Sequence, residues 1–424
     1  MCPFGYWFGL ICVDYTGAQM ALRKLFLVYV LSTAAAIAAP FVMTWVEGVR
    51  RHAIPVNSEM ALEPTPAINT PYSDSLGRNT RPACIAPDGI EYFGDVSFAM
   101  RGKQGALRLL GNVLANDFYS CAAARDGTVY VLGKDNQGHW LRAYGTSGDP
   151  KWTAYTGEFR SRLAIGQDGT PYLVTRGRDD TPSLTAYGED GSERWSVAVA
   201  GWGREPIPPA VGADGTIYVY SIGFQSSPHD LIAISPHGKE LWRAAVPGTS
   251  GGGLLVSEDG KIFVQVGHGV LAFNSQGKKL WEFTAENQDI DGGIALAKDG
   301  TLYLACRFLY ALDPAGQAKW SFKSELTYTK RDYFDGSPIV AEDGTIYALS
   351  FYQQLYAITP EGRKKWVLHG ELAGKGTRWD QLTLTNDGRL LTKAGWLSVS
   401  SGLASGGWPT RDHDNSDSRR QGMR

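Results

Sequence analysis

The chain has 424 residues, and its 41 Lys and Arg against 43 Asp and Glu give a formal charge of −2. This balance, without a basic stripe, predicts that nucleic acid is not a partner. The 51 glycines and 12% aromatic content are typical of many tight turns that join short strands. Length alone would favour two or three domains, but internal repeats override that expectation.

Near the amino end, residues 25–46 read LFLVYVLSTAAAIAAPFVMTWV, a run of 22 mostly apolar positions. As a helix this run is about 33 Å long, enough to cross a bilayer. Arg23 and Lys24 precede it, so we expect one transmembrane anchor with residues 1–24 cytoplasmic. Met20, which opens the segment MALRKLFLVYV, is an alternative start of the natural protein. The competing interpretation is a cleaved signal peptide, for which Ala36-Ile37-Ala38 offers a small-residue cleavage site.

An anchor in this orientation predicts a single-pass protein of the bacterial inner membrane, with the rest of the chain in the periplasm or another extracytoplasmic space. Signal cleavage would instead release the same part of the chain as a secreted protein. Residues 47–80 contain Pro55, Pro64, Pro66 and Pro71 with little apolar pattern. They are expected to form a proline-rich, semi-extended linker.

An eightfold repeat fills the chain from about residue 81 to 410. Its mark is an Asp-Gly pair followed, four residues after the Asp, by Tyr or Phe in seven copies and Leu391 in the last. Intervals of 38 to 46 residues between copies match the length of four short strands with their turns. The pairs begin at Asp88, Asp126, Asp168, Asp214, Asp259, Asp299, Asp343 and Asp387.

Each copy predicts one blade of four antiparallel strands. The Asp-Gly pair is a hairpin signal between the first two strands, and a second Gly turn leads to a fourth strand that opens with Trp. The sequence therefore predicts an all-β, eight-bladed β-propeller, with seven blades possible if the first and last units share one. Residues 411–424 are expected to be a polar tail. The tryptophans expected to pack the blades are Trp152, Trp195, Trp242, Trp281, Trp320, Trp366 and Trp408.

The first unit has no such Trp, and Leu107 or Leu109 is expected to replace it. Cys84 and Cys121 precede their Asp-Gly pairs by four and five residues. Because strand side chains alternate, this offset predicts that the two cysteines point to opposite faces and that a disulfide between them is disfavoured. There is no CxxC metal spacing.

The repeat, seen clearly in DGTIYALSFYQQLYAITPEGRKKW, resembles the quinoprotein-like, or PQQ-repeat, β-propellers over residues 81–410. The resemblance is specific for the fold. It implies either a pyrroloquinoline-quinone dehydrogenase or a cofactor-free scaffold such as the outer-membrane assembly lipoproteins. The chain has no adjacent cysteine pair of the dehydrogenase type and no cysteine after the apolar run to take a lipid. We expect no cofactor, with PQQ and Ca²⁺ as the alternative.

Function is expected where loops vary, on the side of the ring opposite the Asp-Gly turns. Asp291 and Asp335 stand eight residues before their Asp-Gly pairs and are the candidates for a metal site, against the simpler interpretation that each caps its own turn. No catalytic residue is predicted. The expected partner-binding residues are Trp202, Arg204, Asp291, Tyr333, Asp335, Arg378 and Trp379.

These observations favour a membrane-tethered, non-enzymatic binding or assembly scaffold that contacts an envelope protein or a glycan. A PQQ-dependent dehydrogenase is the first alternative, because Asp291 and Asp335 would supply its carboxylates. A carbohydrate-binding or sensing propeller is the second, because Trp202 and Trp379 could stack on sugar rings.

Overall fold

A computed structural model describes residues 56–57, 61–67, 84–94, 98–102, 108–111, 118–159, 162–176, 181–199, 207–221, 229–247, 253–285, 292–326, 332–334, 336–369, 382–392 and 395–405. All of them belong to one compact unit, Pro55–Arg424. These residues form β-strands, turns and loops, and none of them lies in a helix that could cross a membrane. Residues 25–46, expected to be an anchor, lie outside the described ranges.

The strands form eight sheets, each built from consecutive segments of chain. Blades one to four are β2 Cys84–Ile85, β3 Glu91–Gly94, β4 Phe98–Arg101 and β5 Arg108–Gly111; β6 Phe118–Ala123, β7 Val129–Asp135, β8 Gly138–Tyr144 and β9 Pro150–Thr156; β10 Ala164–Ile165, β11 Pro171–Arg176, β12 Pro182–Tyr187 and β13 Glu193–Ala198; β14 Ala210–Val211, β15 Ile217–Ser221, β16 His229–Ile234 and β17 Glu240–Val246.

Blades five to eight follow in the same manner. They are β18 Leu254–Val256, β19 Ile262–Val266, β20 Gly269–Phe273 and β21 Lys279–Thr284; β22 Ile294–Leu296, β23 Leu302–Ala305, β24 Leu309–Leu312 and β25 Ala318–Phe322; β26 Ile339–Val340, β27 Ile346–Leu349, β28 Leu355–Ile358 and β29 Lys364–Leu368; and β30 Thr383–Leu384, β31 Arg389–Thr392 and β32 Gly395–Ser398. The prediction of eight antiparallel blades is confirmed; three strands of the last blade fall in the described residues.

The Asp-Gly turns form as the repeat predicts. In the fourth blade Gly215 has φ of 83°, which glycine adopts without steric cost. The Asp214 carboxylate accepts hydrogen bonds from the Thr216 backbone N–H at 3.0 Å and the Thr216 hydroxyl at 2.9 Å. The turn therefore satisfies its own polar groups and sets the register between first and second strands.

The core lies between blades, where each sheet packs face to back on the next. Side chains from one face of blade two, including Cys121 and Val131, share a cluster with Tyr92 of blade one. Side chains from its other face, including Ala122 and Leu132, share a cluster with blade three. Period-2 alternation along one strand thus serves two different interfaces.

Cys84 and Cys121 are joined by a disulfide, with Cα atoms 5.9 Å apart, so the bond that the sequence disfavours is present. Cys84 occupies the position of Ala122 in the repeat, which faces the following blade. Cys121 is one residue earlier in its own unit and faces the preceding blade. Because blades stack face to back, side chains on opposite faces of neighbouring sheets are the ones that meet.

The regular spacing of Trp and aromatic residues along the repeats produces one repeated contact. In each of blades two to seven the second-strand Tyr or Phe ring lies 5.8 to 5.9 Å from the Trp ring of the same blade. In blades three to six the indole N–H also donates to a carbonyl in the next blade, as in Trp195 to Pro236 at 2.9 Å and Trp320 to Pro360 at 2.8 Å. Trp408 lies outside the described residues.

The first blade replaces this Trp in a way that the sequence did not predict. Leu109 is 58% exposed, and Leu107 lies outside the described residues. The side chain of Leu110, with that of Met100, packs over Gly148 of blade two, in the place where blades two to five set an indole over the equivalent glycine of the next blade. A register shift after Phe98 turns Leu110 inward, and Arg108 donates to the Ser147 carbonyl.

Part of the expected linker belongs to the ring. We call residues 56–57 and 61–67 the strap. β1 (Val56–Asn57) pairs in parallel with β25 at the outer edge of blade six. Further along, Leu62 N–H donates to the Lys364 carbonyl at 3.1 Å, on the outer strand of blade seven. The strap therefore covers the outer edges of two neighbouring blades.

Candidate functional site

The two sides of the ring differ in what they offer. Because strands within a blade are antiparallel and consecutive, the Asp-Gly turns and the turns between third and fourth strands share one side, the turn face. Loops between second and third strands, with those that lead into the next blade, share the other side, the loop face. The Glu158–Arg176 and Phe334–Ser350 bridges join these two kinds of loop.

Carboxylates on the turn face are engaged within their own turns. Asp126 accepts the Thr128 N–H and hydroxyl at 2.9 and 2.8 Å. Burial opposes ionisation of Asp126, but these hydrogen bonds and the nearby charge of Lys151 outweigh it and lower its pKa below the usual 3.8. The repeated turns are thus structural, and their polar groups face local partners.

Most residues predicted to bind a partner lie outside the described ranges: Trp202, Arg204, Asp291, Asp335, Arg378 and Trp379. The metal prediction, which rested on Asp291 and Asp335, falls there too. Within the described residues, no group of three or more His, Cys, Asp or Glu side chains is arranged to hold a metal ion. Tyr333 is described, and it belongs to a cluster on the loop face.

Tyr333, Phe351 and Tyr352 form an aromatic shelf on the loop face of blade seven. The Tyr333 and Phe351 rings stack with centroids 4.7 Å apart and planes at 19°, and Tyr352 meets Phe351 edge-on at 5.4 Å. Phe351 and Tyr352 are each 44% exposed. Phe351 N–H donates to the Tyr333 carbonyl at 2.8 Å, which joins the two loops.

A tight turn presents the shelf. Gln353 has φ of 64°, an uncommon value for a residue with a side chain. Its N–H donates to the Ser350 carbonyl at 2.9 Å and closes the turn. The sequence carries a signal for this feature, since SFYQQLY places two adjacent aromatic residues in a hairpin turn. The predicted partner-binding residues include Tyr333 but neither Phe351 nor Tyr352.

Beneath the shelf lies a buried polar network. The fully buried Asp332 carboxylate accepts the Tyr352 backbone N–H at 3.0 Å through Oδ1 and the Ser324 hydroxyl through Oδ2. Tyr356 donates its hydroxyl to Gln354 Oε1 and accepts from Glu325 N–H at 3.0 Å. Burial raises the pKa of Tyr356 to about 12, so its hydroxyl stays protonated at neutral pH. These bonds fix the shelf from below.

A second cluster, the blade-two patch, consists of Tyr119, His139 and Tyr155. Tyr119 and Tyr155 are 47% and 52% exposed. The Tyr119 and His139 rings lie 5.2 and 5.0 Å from the buried ring of Phe159, and Tyr155 donates to Asp135 at 3.4 Å. Asp135 also accepts from Arg142 at 3.1 Å, so aromatic and charged groups alternate across this surface.

The imidazole of His139 is neutral at physiological pH. Partial burial lowers its pKa below the usual 6.5, and the charge of Lys134 lowers it further, against a smaller opposing effect of Glu158. A neutral ring packed on Phe159 offers a hydrogen-bonding edge with little charge to desolvate. Because no group of His, Cys, Asp and Glu in the described residues is arranged to hold a metal ion, His139 is assigned to the contact surface.

Comparisons with known proteins agree with this architecture. The family model described as outer membrane protein assembly factor BamB matches residues 180–376. Similar solved structures include BamB from Moraxella catarrhalis (18% identity over 68% of this chain and 86% of that one, TM-score 0.47). Virginiamycin B lyase from Staphylococcus aureus is 14% identical over 69% of this chain and 97% of that one, with a TM-score of 0.47. The Dos1 propeller is 9% identical over 68% of this chain and 84% of that one, with a TM-score of 0.50. At these identities the likeness concerns the fold. No curated protein matches significantly.

Eight stacked blades with Asp-Gly turns and indole contacts between neighbours define a repeat β-propeller whose variable loops gather on one face. The chain resembles the quinoprotein-like, PQQ-repeat propellers, and the family model that matches it covers residues 180–376, somewhat under half of the chain. The matching model is that of an assembly factor.

Proposed function

We propose that this protein is a membrane-tethered, non-enzymatic scaffold that presents the loop face of its ring to an envelope protein. Residues 25–46 would anchor it in the inner membrane, with the ring in the periplasm. The match to an assembly-factor model supports a role in holding other proteins rather than in chemistry. Under this proposal the ring has the PQQ-repeat fold but binds no quinone cofactor.

The observation that carries the proposal is the blade-two patch. Tyr119 and Tyr155 are exposed, yet Phe159 and Asp135 hold them in place. Tyr and Arg are enriched at protein interfaces, where rigid aromatic groups lose little entropy on binding. Arg142, which lies 3.9 Å over the ring of Trp140 and is paired to Asp135, adds a preorganised cation at the same surface.

The disulfide supports an extracytoplasmic location. Cys84 and Cys121 are both buried between blades one and two, and their bond persists where the surroundings are oxidising. A cytosolic compartment would keep such thiols reduced. The proposed orientation of the anchor therefore agrees with the chemistry of the ring's own core.

Crosslinking and affinity capture of the anchored protein from membranes tests this function. The test variant is Tyr119→Ala with Tyr155→Ala, and the matched control is Leu241→Ala, which removes a 50% exposed side chain from the outer strand of blade four. We expect one protein to be captured by the wild type and the control and lost with the double variant.

Retention of that protein by the double variant would contradict the assignment of the patch. Capture of no protein by any form, with binding on a glycan array, would favour the carbohydrate-binding alternative. Saturable PQQ binding that depends on Ca²⁺ would favour the dehydrogenase.

A further inference from the structure

Blades two to seven each have a β-bulge at the same place, one residue before the Trp of the outer strand. In blades two, three, six and seven the bulge residue is a Lys or Arg that donates to the Thr hydroxyl of the Asp-Gly turn of its own blade. These residues are Lys151, Arg194, Lys319 and Lys365, with donor–acceptor distances of 2.7 to 3.3 Å. Because the Asp-Gly turns lie on the turn face, the side chain at the bulge lies there too.

Blades four and five have leucine at the bulge. Leu241 and Leu280 are 50% and 44% exposed. In blade five the turn itself supplies the cation, since Lys261 pairs with Asp259 at 2.6 Å. Two neighbouring blades thus place exposed leucines on the turn face where four other blades place cations, and exposed apolar groups on adjacent units mark an interaction site. We call Leu241, Leu280 and the charged residues that flank them the leucine sector.

The charges that flank the two leucines are inverted between the blades. Blade four reads ELWR at residues 240–243, and blade five reads KLWE at residues 279–282. Within each blade the two charges pair, at 2.8 Å in blade four and 3.0 Å in blade five. No other blade from two to seven has charged residues at both of these positions. The leucine sector is therefore two equivalent surfaces of opposite charge pattern, side by side.

We propose that the leucine sector is a contact between two copies of this chain. Equivalent residues of neighbouring blades differ by a rotation about the central axis of the ring, so they lie at the same height and radius. A two-fold axis that runs outward along the boundary of blades four and five therefore exchanges the two blades between copies. It sets Leu241 of one copy against Leu280 of the other, and Glu240 against Lys279.

The leucine sector is complementary to itself, as a two-fold contact requires. Arg243 of one copy meets Glu282 of the other. Lys239 and Lys278, which precede the inverted charges, share a sign, so each half of the contact has two opposite-charge pairs against one like-charge pair. In a wider stack of the two rings, bulge cations of the other blades would face cations, which confines the contact to this sector. The loop faces of both copies stay free for the partner of the proposed function.

Sedimentation equilibrium of the full chain in a density-matched detergent gives the dissociation constant of the dimer. The first variant is Leu241→Lys with Leu280→Lys, which gives both bulges the cation that other blades have and so keeps the ring folded. We expect it to raise the dissociation constant about tenfold or more, because like charges replace the apolar contact. The matched control is Leu109→Lys, which removes a 58% exposed leucine from the outer strand of blade one and should leave the dissociation constant unchanged.

A charge reversal separates the contact between copies from any effect inside one chain. Lys279→Glu should weaken the dimer, because the new carboxylate opposes Glu240 of the second copy, and adding Glu240→Lys should restore it. Within one chain the double variant leaves like charges in both flanking pairs, so a rescue comes from the contact between copies. A wild type that stays monomeric, a dimer that survives the leucine variant, or a double reversal no tighter than Lys279→Glu would each overturn this inference. Capture of an envelope protein through the blade-two patch is independent of these outcomes.

Discussion

Arg389 Nη1 lies 3.2 Å from Glu91 Oε1 and joins the last blade of the ring to the first. The other oxygen, Glu91 Oε2, accepts from Nη2 of Arg101 at 2.7 Å. The first and last blades exchange no strand within the described residues. The buried carboxylate of Glu91, shared by two guanidinium groups, is therefore a point of ring closure that the repeat itself does not supply.

Glu91→Gln should destabilise the ring by about 1–3 kcal/mol, because a buried charge-assisted network loses the charge that both arginines share. Denaturant unfolding gives the free energy directly. The matched control is Glu282→Gln, which removes an exposed pair with Lys279 and should change stability by less than about 1 kcal/mol. Equal effects of the two variants would show that closure depends on other contacts.

The disulfide closes a loop with a sequence separation of 37 residues. On a chain-entropy basis its loss should lower the unfolding free energy by about 4 kcal/mol, and strain or residual structure in the unfolded state would reduce this figure. The variant Cys84→Ala with Cys121→Ala should therefore unfold at lower denaturant, as should the wild type in a reducing agent. The control is Cys306→Ala, which keeps the disulfide. A reducing agent should lower its unfolding midpoint by the same amount as it lowers that of the wild type. An unchanged midpoint in the double variant would argue against the bond.

Gly169 and Gly238 have the same backbone conformation, so substituting each by Ala distinguishes the cost of backbone strain from the cost of a packing clash. Gly169 and Gly238 have φ of 84° and 79°. A Cβ at position 169 meets nothing within 4 Å, whereas one at 238 would lie 2.7 Å from the Trp195 ring. Gly169→Ala should cost about 1–2 kcal/mol from conformation alone, and Gly238→Ala about 1–3 kcal/mol more from overpacking. Thermal unfolding of the two variants measures the difference, and equal losses would contradict the packing of indole on this turn.

The repeat made the blades predictable because every copy meets the same physical demands. Each Asp-Gly pair needs a turn with positive φ, and the Trp rings of blades two to five each pack on a glycine of the next blade. The disulfide was mispredicted for a related reason. Alternation decides which side chains share a face of one sheet, whereas Cys84 and Cys121 meet between two sheets stacked face to back.

The shelf and the strap were harder to predict because neither belongs to the repeat. Tyr333 was identified from the composition of its loop, but its partner Phe351 lies in a different loop and meets it only in the folded ring. The strap has no apolar pattern, and its pairing with β25 and β29 uses backbone groups that any sequence possesses. Such contacts leave no residue-level signal.

Acid should weaken the turns of the turn face. In Asp343 burial opposes ionisation, but hydrogen bonds from Thr345 and Ser400 and the charge of Lys365 outweigh it and lower the pKa below 3.8. A folded pKa below the unfolded value means that the carboxylate stabilises the fold above about pH 4 and that this stability is lost as pH falls further. Unfolding measured from pH 7 to pH 3 should show the decline. Asp343→Asn should flatten it, and an unchanged slope in that variant would contradict the assignment.

Asp332→Asn should loosen the aromatic shelf without touching its rings. The amide keeps an oxygen for the Tyr352 N–H, but it loses the negative charge that accepts the Ser324 hydroxyl, in a fully buried position. We expect a loss of about 1–3 kcal/mol in unfolding free energy and faster hydrogen exchange at residues 350–354. Asp313→Asn is the matched control, because that exposed turn keeps both bonds to Ala315 and Gln317 through one oxygen. Exchange at residues 350–354 that is unchanged in Asp332→Asn, or equally faster in the control, would mean that the shelf is held by ring stacking and not by the buried carboxylate.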